Sequence, residues 1–139
     1  MELDLEDLKA VWLNLRAHVD RLASECQQYR DVFEQAPEAY VVTDAGGIIE
    51  EANGPAVDIL QRRRAYLRGK PFAVLVALDR RADFRRRLAR LASGPAAGER
   101  SWSTVFESPG LRTDVSLTAR LIGAPGERRG ICWRLDATQ

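Results

Sequence analysis

Histidine and cysteine are scarce in this sequence. His18 is the only histidine, and the two cysteines, Cys26 and Cys132, lie far apart in the chain without a metal-binding spacing. Zinc sites and catalytic Cys/His pairs need several such residues close together, so the composition argues against both. Few, widely separated cysteines are typical of proteins from a reducing compartment, and we expect a cytoplasmic protein.

Long apolar runs and phosphate loops are also missing. No run approaches the roughly 20 residues of a membrane helix, and the acidic start, MELDLEDL, differs from the basic start of a secretory signal. Residues 45–47, Ala-Gly-Gly, fit a turn between strands rather than a strand-to-helix phosphate cradle. We therefore expect no membrane segment, no metal site and no catalytic activity.

Charge is distributed unevenly along the chain. Residues 1–60 hold 13 acidic and 4 basic residues, whereas residues 61–100 hold 12 basic and 3 acidic ones. The arginines of the second segment could form a phosphate-binding face, but aromatic residues for base stacking are sparse among them. The sequence thus argues against a nucleic-acid partner and favours an acidic protein surface, including the chain's own N-terminal helix.

The N-terminal residues 3–33 carry a helical repeat, and no proline occurs before Pro37. Apolar residues recur at alternating spacings of three and four, which predicts a left-handed coiled coil. We divide the chain into this coiled-coil dimerisation helix, residues 1–33, and a second domain, residues 34–139. The predicted dimer interface consists of Leu5, Leu8, Trp12, Leu15, Val19, Leu22, Cys26, Tyr29 and Phe33.

Residues beside this apolar seam leave three arrangements open. In a parallel dimer, Asp4 would face Lys9 of the partner subunit and Glu25 would face Arg30 of the partner subunit, both attractive pairs. Antiparallel pairing is not excluded by the pattern. Alternatively, the helix folds back onto its own domain, which would suit the wider stripe made by Val11 and Val32.

Residues 39–53 predict a β-hairpin that leads into a helix. The run from Tyr40 to Thr43 favours a strand, and in the following turn the Asp44 carboxylate can bond backbone N–H groups while a glycine takes positive φ. We expect a bulge at one glycine. Asn53 then predicts the N-cap of a helix over residues 54–60, with proline in its first turn.

The remaining pattern predicts helices and then strands. A helical turn is expected at residues 65–67, followed by a helix with Asp79 as its N-cap. The apolar spacing four and three predicts that this helix packs on a core through Phe84, Leu88 and Leu91. Alternation of apolar and polar residues predicts three strands, at residues 101–108, 113–122 and 131–135.

Three motifs in this order resemble the PAS domain family. VVTDAGGIIEEANGPA is similar to the family's opening, in which a strand ending in Asp-x-x-Gly and a second strand lead to an asparagine at the mouth of a short helix. YLRGKPFAVLV resembles the step before the family's long helix, and GICWRLDAT resembles its last strand with an Asp-x-Thr exit. The resemblance covers about residues 30–138.

The resemblance implies an α+β fold, with short helices on one face of a five-stranded antiparallel sheet and a long helix before it. It gives structural roles to Asp44, Gly47, Asn53 and Asp136. It also implies a small-molecule pocket between sheet and helices, although the same side chains could simply fill a packed core. They are Val42, Ile49, Phe72, Leu75, Phe84, Leu88, Trp102 and Trp133.

Cofactor expectations follow from the same resemblance. One branch of the family ligates haem through a histidine on or near the long helix, but His18 belongs to the N-terminal helix. Another branch forms a flavin adduct on a cysteine after the first short helix, and residues 54–70 contain no cysteine. We therefore expect neither a His-ligated haem nor a Cys–flavin adduct, which leaves a non-covalent small molecule.

The sequence thus predicts a non-catalytic sensory and dimerisation module of a bacterial-type signal-transduction or transcription-regulatory protein. A ligand- or partner-induced change would be relayed through the coiled coil of a homodimer. Output would pass through that helix, through a signalling partner, or to an output domain of a longer protein. The alternatives are a protein-interaction adaptor with a packed, ligand-free core and an arginine-face nucleic-acid binder.

Overall fold

A computed structural model of the protein describes residues 4–94, 99–123 and 129–137. The chain forms two compact units, a helical unit that ends at Gln35 and a sheet unit that begins at Ala36. The helical unit is one continuous helix, α1, Leu5–Gln35. Its N-terminus is capped by Asp4, whose Oδ1 accepts a hydrogen bond from the Asp7 backbone N–H at 2.9 Å. The long predicted helix is therefore confirmed.

The sheet unit contains five strands: β1 Ala39–Asp44, β2 Ile49–Ala52, β3 Glu99–Ser108, β4 Leu111–Ile122 and β5 Gly130–Ala137. Their order in the sheet is β2-β1-β5-β4-β3, and all neighbouring strands are antiparallel. This order puts the last strand of the chain at the centre, between the first hairpin and the second. The predicted five-stranded antiparallel α+β fold is confirmed.

The segments between β2 and β3 are helical. They are α2 Gly54–Leu60, α3 Arg64–Leu67, two short 3₁₀ helices, Phe72–Leu75 and Leu78–Arg80, and α4 Arg81–Ser93. Their buried side chains and the inward side chains of the strands form one hydrophobic core, so the helices cover one face of the sheet. The helix over residues 54–60 and the turn near residues 65–67 are where the sequence predicts them.

Asn53 begins α2 and also connects it to the neighbouring backbone. Its Oδ1 accepts hydrogen bonds from the backbone N–H groups of Ala56 at 3.2 Å and Tyr40 at 2.9 Å. Its Nδ2 donates to the Glu38 carbonyl at 2.8 Å. The side chain is completely buried. The predicted N-cap is confirmed, and the same amide holds the segment before β1 against α2.

The β1–β2 turn uses Asp44 and Gly47 as the sequence predicts. Asp44 Oδ1 accepts the backbone N–H of Ile48 at 2.9 Å, and Gly47 has a φ of +86°. A Cβ atom at Gly47 would lie 2.7 Å from Leu88 Cδ2 on α4. Glycine is therefore needed here both for the left-handed backbone and for the close approach of α4.

The predicted bulge is displaced from the glycines. Pairing between β1 and β2 changes from Val42 opposite Glu51 to Thr43 opposite Ile49, which leaves Glu50 as the extra residue of β2. A bulge is a property of the pairing of two strands, so turn residues alone could not locate it.

The prediction that Asp79 caps the long helix is wrong. Residues 78–80 form a 3₁₀ helix, α4 begins at Arg81, and the cap position belongs to Arg80, which makes no side-chain capping bond. Asp79 instead pairs with Arg112 on β4 at 3.4 Å. Because α4 begins two residues after Asp79, this side chain is not at the cap position that local sequence assigned to it.

Replacing Asn53 by alanine should destabilise the sheet unit. The change removes the α2 cap and leaves the Tyr40 N–H and Glu38 carbonyl without their partner. Loss of a cap and of buried hydrogen bonds predicts a decrease of about 2–4 kcal/mol in the free energy of unfolding. Urea unfolding checks this, with Asn14→Ala on the exposed surface of α1 as the matched control. An equal, small effect of both changes would contradict the assigned role of Asn53.

Candidate functional site

Five aromatic side chains fill the space between the sheet and α4. The Phe72 ring centroid lies 5.6 Å from Phe84, 5.3 Å from Phe106 and 5.2 Å from Trp133. Trp133 also lies 5.5 Å from Phe84 and meets Trp102 edge-on at 5.6 Å. Stacked and edge-to-face pairs of this kind contribute roughly 0.5–1.5 kcal/mol each beyond their buried area. This aromatic cluster holds the 3₁₀ segment, α4 and the sheet together.

The eight side chains proposed for a pocket fall into three groups. One side chain lies elsewhere: Val42 has the opposite strand parity from the buried Val41 and Thr43, so it is on the other face of β1. Leu88 and Trp102 are half-buried and pack against the core. The others are buried in the core: Ile49, Phe72, Leu75, Phe84 and Trp133.

The two tryptophans of the cluster differ in hydrogen bonding. Trp133 Nε1 donates to Thr43 Oγ1 at 3.0 Å, and the Thr43 hydroxyl donates to the Asp44 carbonyl at 2.8 Å. The Trp102 indole N–H is also buried, yet it has no acceptor among the described residues. A buried donor without an acceptor costs about 1–3 kcal/mol. Trp102 thus offers an unused hydrogen-bond donor at the edge of the core.

Beside Trp102, a surface groove runs between α4 and β3. Its volume is about 280 Å³, and it is lined by Arg87, Arg90, Leu91, Arg100, Ser101 and Trp102. The Arg87 guanidinium carbon lies 5.5 Å from the centroid of a Trp102 ring. Arg87 Nε also donates to Asp83 Oδ2 at 2.9 Å. We call this feature the arginine groove.

Local geometry explains why these arginines meet. Arg87 and Arg90 are three residues apart on α4, so they lie on neighbouring turns of the same helix edge. Arg100 and Trp102 alternate with Ser101 on β3 and share a face of the sheet. Arg100 is paired with the buried Ala119 of β4. Sequence reasoning treated the α4 arginines as a general basic face and missed Arg100, whose spacing from Trp102 was the available signal.

The other face of the sheet carries Cys132 and Tyr40. Burial raises the pKa of the Cys132 thiol, an effect partly offset by Arg120, so the neutral thiol dominates at pH 7 and is a poor nucleophile. The Tyr40 hydroxyl donates to Glu38 Oε2 at 2.6 Å. That hydrogen bond is the main reason why the pKa of Tyr40 is raised. Neither group is prepared for catalysis.

The predicted seam residues of α1 are exposed in the single chain, with two exceptions. Phe33 is half-buried, and the side chain of Tyr29 lies outside the described part of the structure. The exposed set is Leu5, Leu8, Trp12, Leu15, Val19, Leu22 and Cys26. His18, beside the seam, lies with its Nδ1 2.9 Å from Arg21 Nη2.

Other polar residues complete the description. Asp136 on β5 is exposed and lies 3.5 Å from the Arg134 guanidinium. Within residues 4–94, 99–123 and 129–137, the structure brings no group of three or more potential metal ligands together. No helix in these described ranges combines the length and the apolar character that a membrane span requires.

Comparison with known proteins supports one family. A PAS domain model matches residues 27–93. No curated protein matches the sequence. The PAS domain of an HTR-like protein from Haloarcula marismortui is similar in structure, with a TM-score of 0.72 and 17% sequence identity. That alignment covers 88% of this chain and 99% of the other.

Two further structures are similar to this chain. One is the PAS domain, in complex with ethanol, of a LuxR-family transcriptional regulator from Burkholderia thailandensis, with a TM-score of 0.62, 21% identity, and coverage of 78% of this chain and 96% of the other. The second is a domain of a sensory box sensor histidine kinase/response regulator from Geobacter sulfurreducens, with a TM-score of 0.64, 22% identity, and coverage of 83% and 96%. Residues 27–93 thus match the PAS domain family in sequence, and the chain shares its fold with solved PAS domains.

Proposed function

We propose that the protein is a non-catalytic sensory and dimerisation module that acts in signal transduction. Two of the similar structures come from a transcriptional regulator and from a sensor histidine kinase/response regulator, which supports a sensory role. The observation that carries the proposal is the exposed apolar seam of α1. A sensor needs an element that passes its state to another molecule, and this seam supplies one.

A second copy of the same helix is the occupant that best fits the seam. Its apolar side chains recur with the heptad spacing that packs two helices side by side, and burying each leucine would contribute about 1.5–3 kcal/mol. Parallel pairing also sets Asp4 against Lys9 of the partner subunit and Glu25 against Arg30 of the partner subunit. The proposal therefore commits to a parallel homodimer through α1.

A short covalent connection links this helix to the sensory fold. α1 ends at Gln35 and β1 begins at Ala39. Within the connection, the Glu38 carbonyl accepts a hydrogen bond from Asn53, which caps α2. A change in the sheet unit would therefore reach the end of the connection next to β1 through this hydrogen bond. In the proposed mechanism, such a change shifts the paired helices between two packings of similar free energy.

A protein-interaction adaptor is the second candidate function. It is favoured by the aromatic cluster, in which rings with centroids 5.2–5.6 Å apart occupy the middle of the core. An adaptor would have the same dimer and the same fold, but it would hold no small molecule. The two functions therefore differ in whether the purified protein contains a bound small molecule. They do not differ in how the protein assembles.

A charge placed in the seam should dissociate the dimer. Leu15 is 60% exposed at a seam position, and Leu13 is 59% exposed outside the seam, so Leu13→Glu is a closely matched control. Leu15→Glu puts a carboxylate into the apolar interface and should weaken dimerisation at least about tenfold, equivalent to about 1.4 kcal/mol. Sedimentation equilibrium of both variants measures the change. Equal effects of the two substitutions, or a monomeric parent protein, would contradict the proposed interface.

Mass spectrometry of the purified protein separates sensor from adaptor. The sensory proposal expects a native mass equal to a dimer plus a small molecule, and loss of the added mass on denaturation because no His or Cys bond holds the ligand. A dimer without added mass, which stays unchanged after incubation with cell-extract metabolites, would support the adaptor instead.

A further inference from the structure

We propose that the arginine groove binds a small molecule bearing an oxyanion, either a carboxylate or a phosphate group. The inference deepens the proposed function by naming a ligand class, and it rests on that function for the step from binding to signalling. Binding itself depends only on residues of the sheet unit. It can therefore be tested apart from dimerisation.

Charge is the first argument. Three guanidinium groups line the groove, from Arg87, Arg90 and Arg100, and no acidic side chain lines it with them. Asp83 pairs with Arg87, but the side chains of Arg90 and Arg100 form no ion pair with a described residue. Like charges held close together repel each other, and a bound anion would remove that repulsion. Guanidinium groups also match the planar fork of carboxylates and phosphates.

Two arginines outside the groove are paired with acidic side chains. Arg68 lies 3.0 Å from Glu51, and Arg112 lies 3.0 Å from Glu107. Arg90 and Arg100 have no such partner among the described residues, and both line the same groove. Their positive charge is therefore available to an external anion.

Trp102 supplies the second argument. Its indole N–H is buried without an acceptor among the described residues, and its side chain lines the same groove. An oxyanion is an acceptor with several lone pairs, so a ligand that reaches the buried N–H could satisfy this donor together with the arginines. The Arg87 guanidinium also packs against the indole ring. This contact restricts the Arg87 side chain before any ligand binds. Donors of two kinds, guanidinium and indole, thus line the same groove.

Size limits the ligand class. A volume of about 280 Å³ is slightly below the range for small-molecule sites, which is about 300–1,000 Å³. The groove therefore fits a molecule with few heavy atoms rather than a polymer. Leu91 contributes the apolar wall, so one side of the ligand can be hydrocarbon while the other carries charge.

Anion titrations test the site. Inorganic phosphate and citrate are titrated separately into the full-length protein at constant ionic strength, and binding is measured by calorimetry. Saturable binding of at least one of them is expected, with a Kd below about 1 mM. The variant R90A/R100A should weaken that binding at least about tenfold. Absence of saturable binding for both anions would overturn the proposal.

A double variant of equal charge change serves as control. Arg63 and Arg85 are exposed and do not line the groove, so R63A/R85A should keep the Kd within about twofold. Equal weakening by both double variants would mean that the anions respond to overall positive charge, which would also overturn the site. Urea unfolding of each variant confirms that the fold is retained.

The dimer variant separates this inference from the function on which it rests. Leu15→Glu should still bind the anion with an unchanged Kd, because the groove lies within the sheet unit. If the parent protein dimerises but binds neither anion, the groove proposal fails and the sensory proposal stands. If anion binding occurs in a protein that never dimerises, the groove stands and the proposed relay through α1 fails.

Discussion

One buried amide, that of Asn53, connects β1, α2 and the segment that leads to α1. It caps α2, accepts a hydrogen bond from β1, and donates to the carbonyl of Glu38 in the segment between α1 and the sheet. Water cannot replace these partners because the side chain is completely buried. The same side chain thus positions β1, α2 and the residue that precedes β1 in the connection to α1. This contact makes the connection part of the folded unit.

Local signals predicted much of this structure. Asn53 and Gly47 could be assigned from sequence because a cap and a left-handed turn depend on a few adjacent residues. Features set by distant contacts were missed or misplaced. Asp79 lies in a 3₁₀ helix before α4 and pairs with Arg112, strand pairing put the bulge at Glu50, and cross-strand register brought Arg100 to the arginine groove. The sequence likewise could not show on which face of β1 Val42 lies. Val41 and Val42 are both apolar, so the residue types do not indicate which of them points toward the core.

The proposed functions are divided between the two units. The aromatic cluster gives the sheet unit a tightly filled core, so a ligand has more room at the edge of that core than at its centre. Trp102 stands at this edge, in contact with Trp133 on one side and with Arg87 on the other. An anion bound there would act on α4 and β3 directly. The apolar seam of α1 is chemically distinct, and in the proposed module it joins two copies and relays the change between them.

Oxidative cross-linking tests the central claim, parallel pairing of α1, most directly. Cys26 occupies a seam position and is exposed, whereas Cys132 is half-buried on the sheet. In a parallel, in-register dimer, Cys26 would lie beside Cys26 of the partner subunit, within the roughly 4.4–6.8 Å Cα separation that a disulfide requires. Mild oxidation should give a disulfide dimer in the parent protein and in Cys132→Ser, but none in Cys26→Ser. A protein that forms no cross-link through Cys26 would contradict the account.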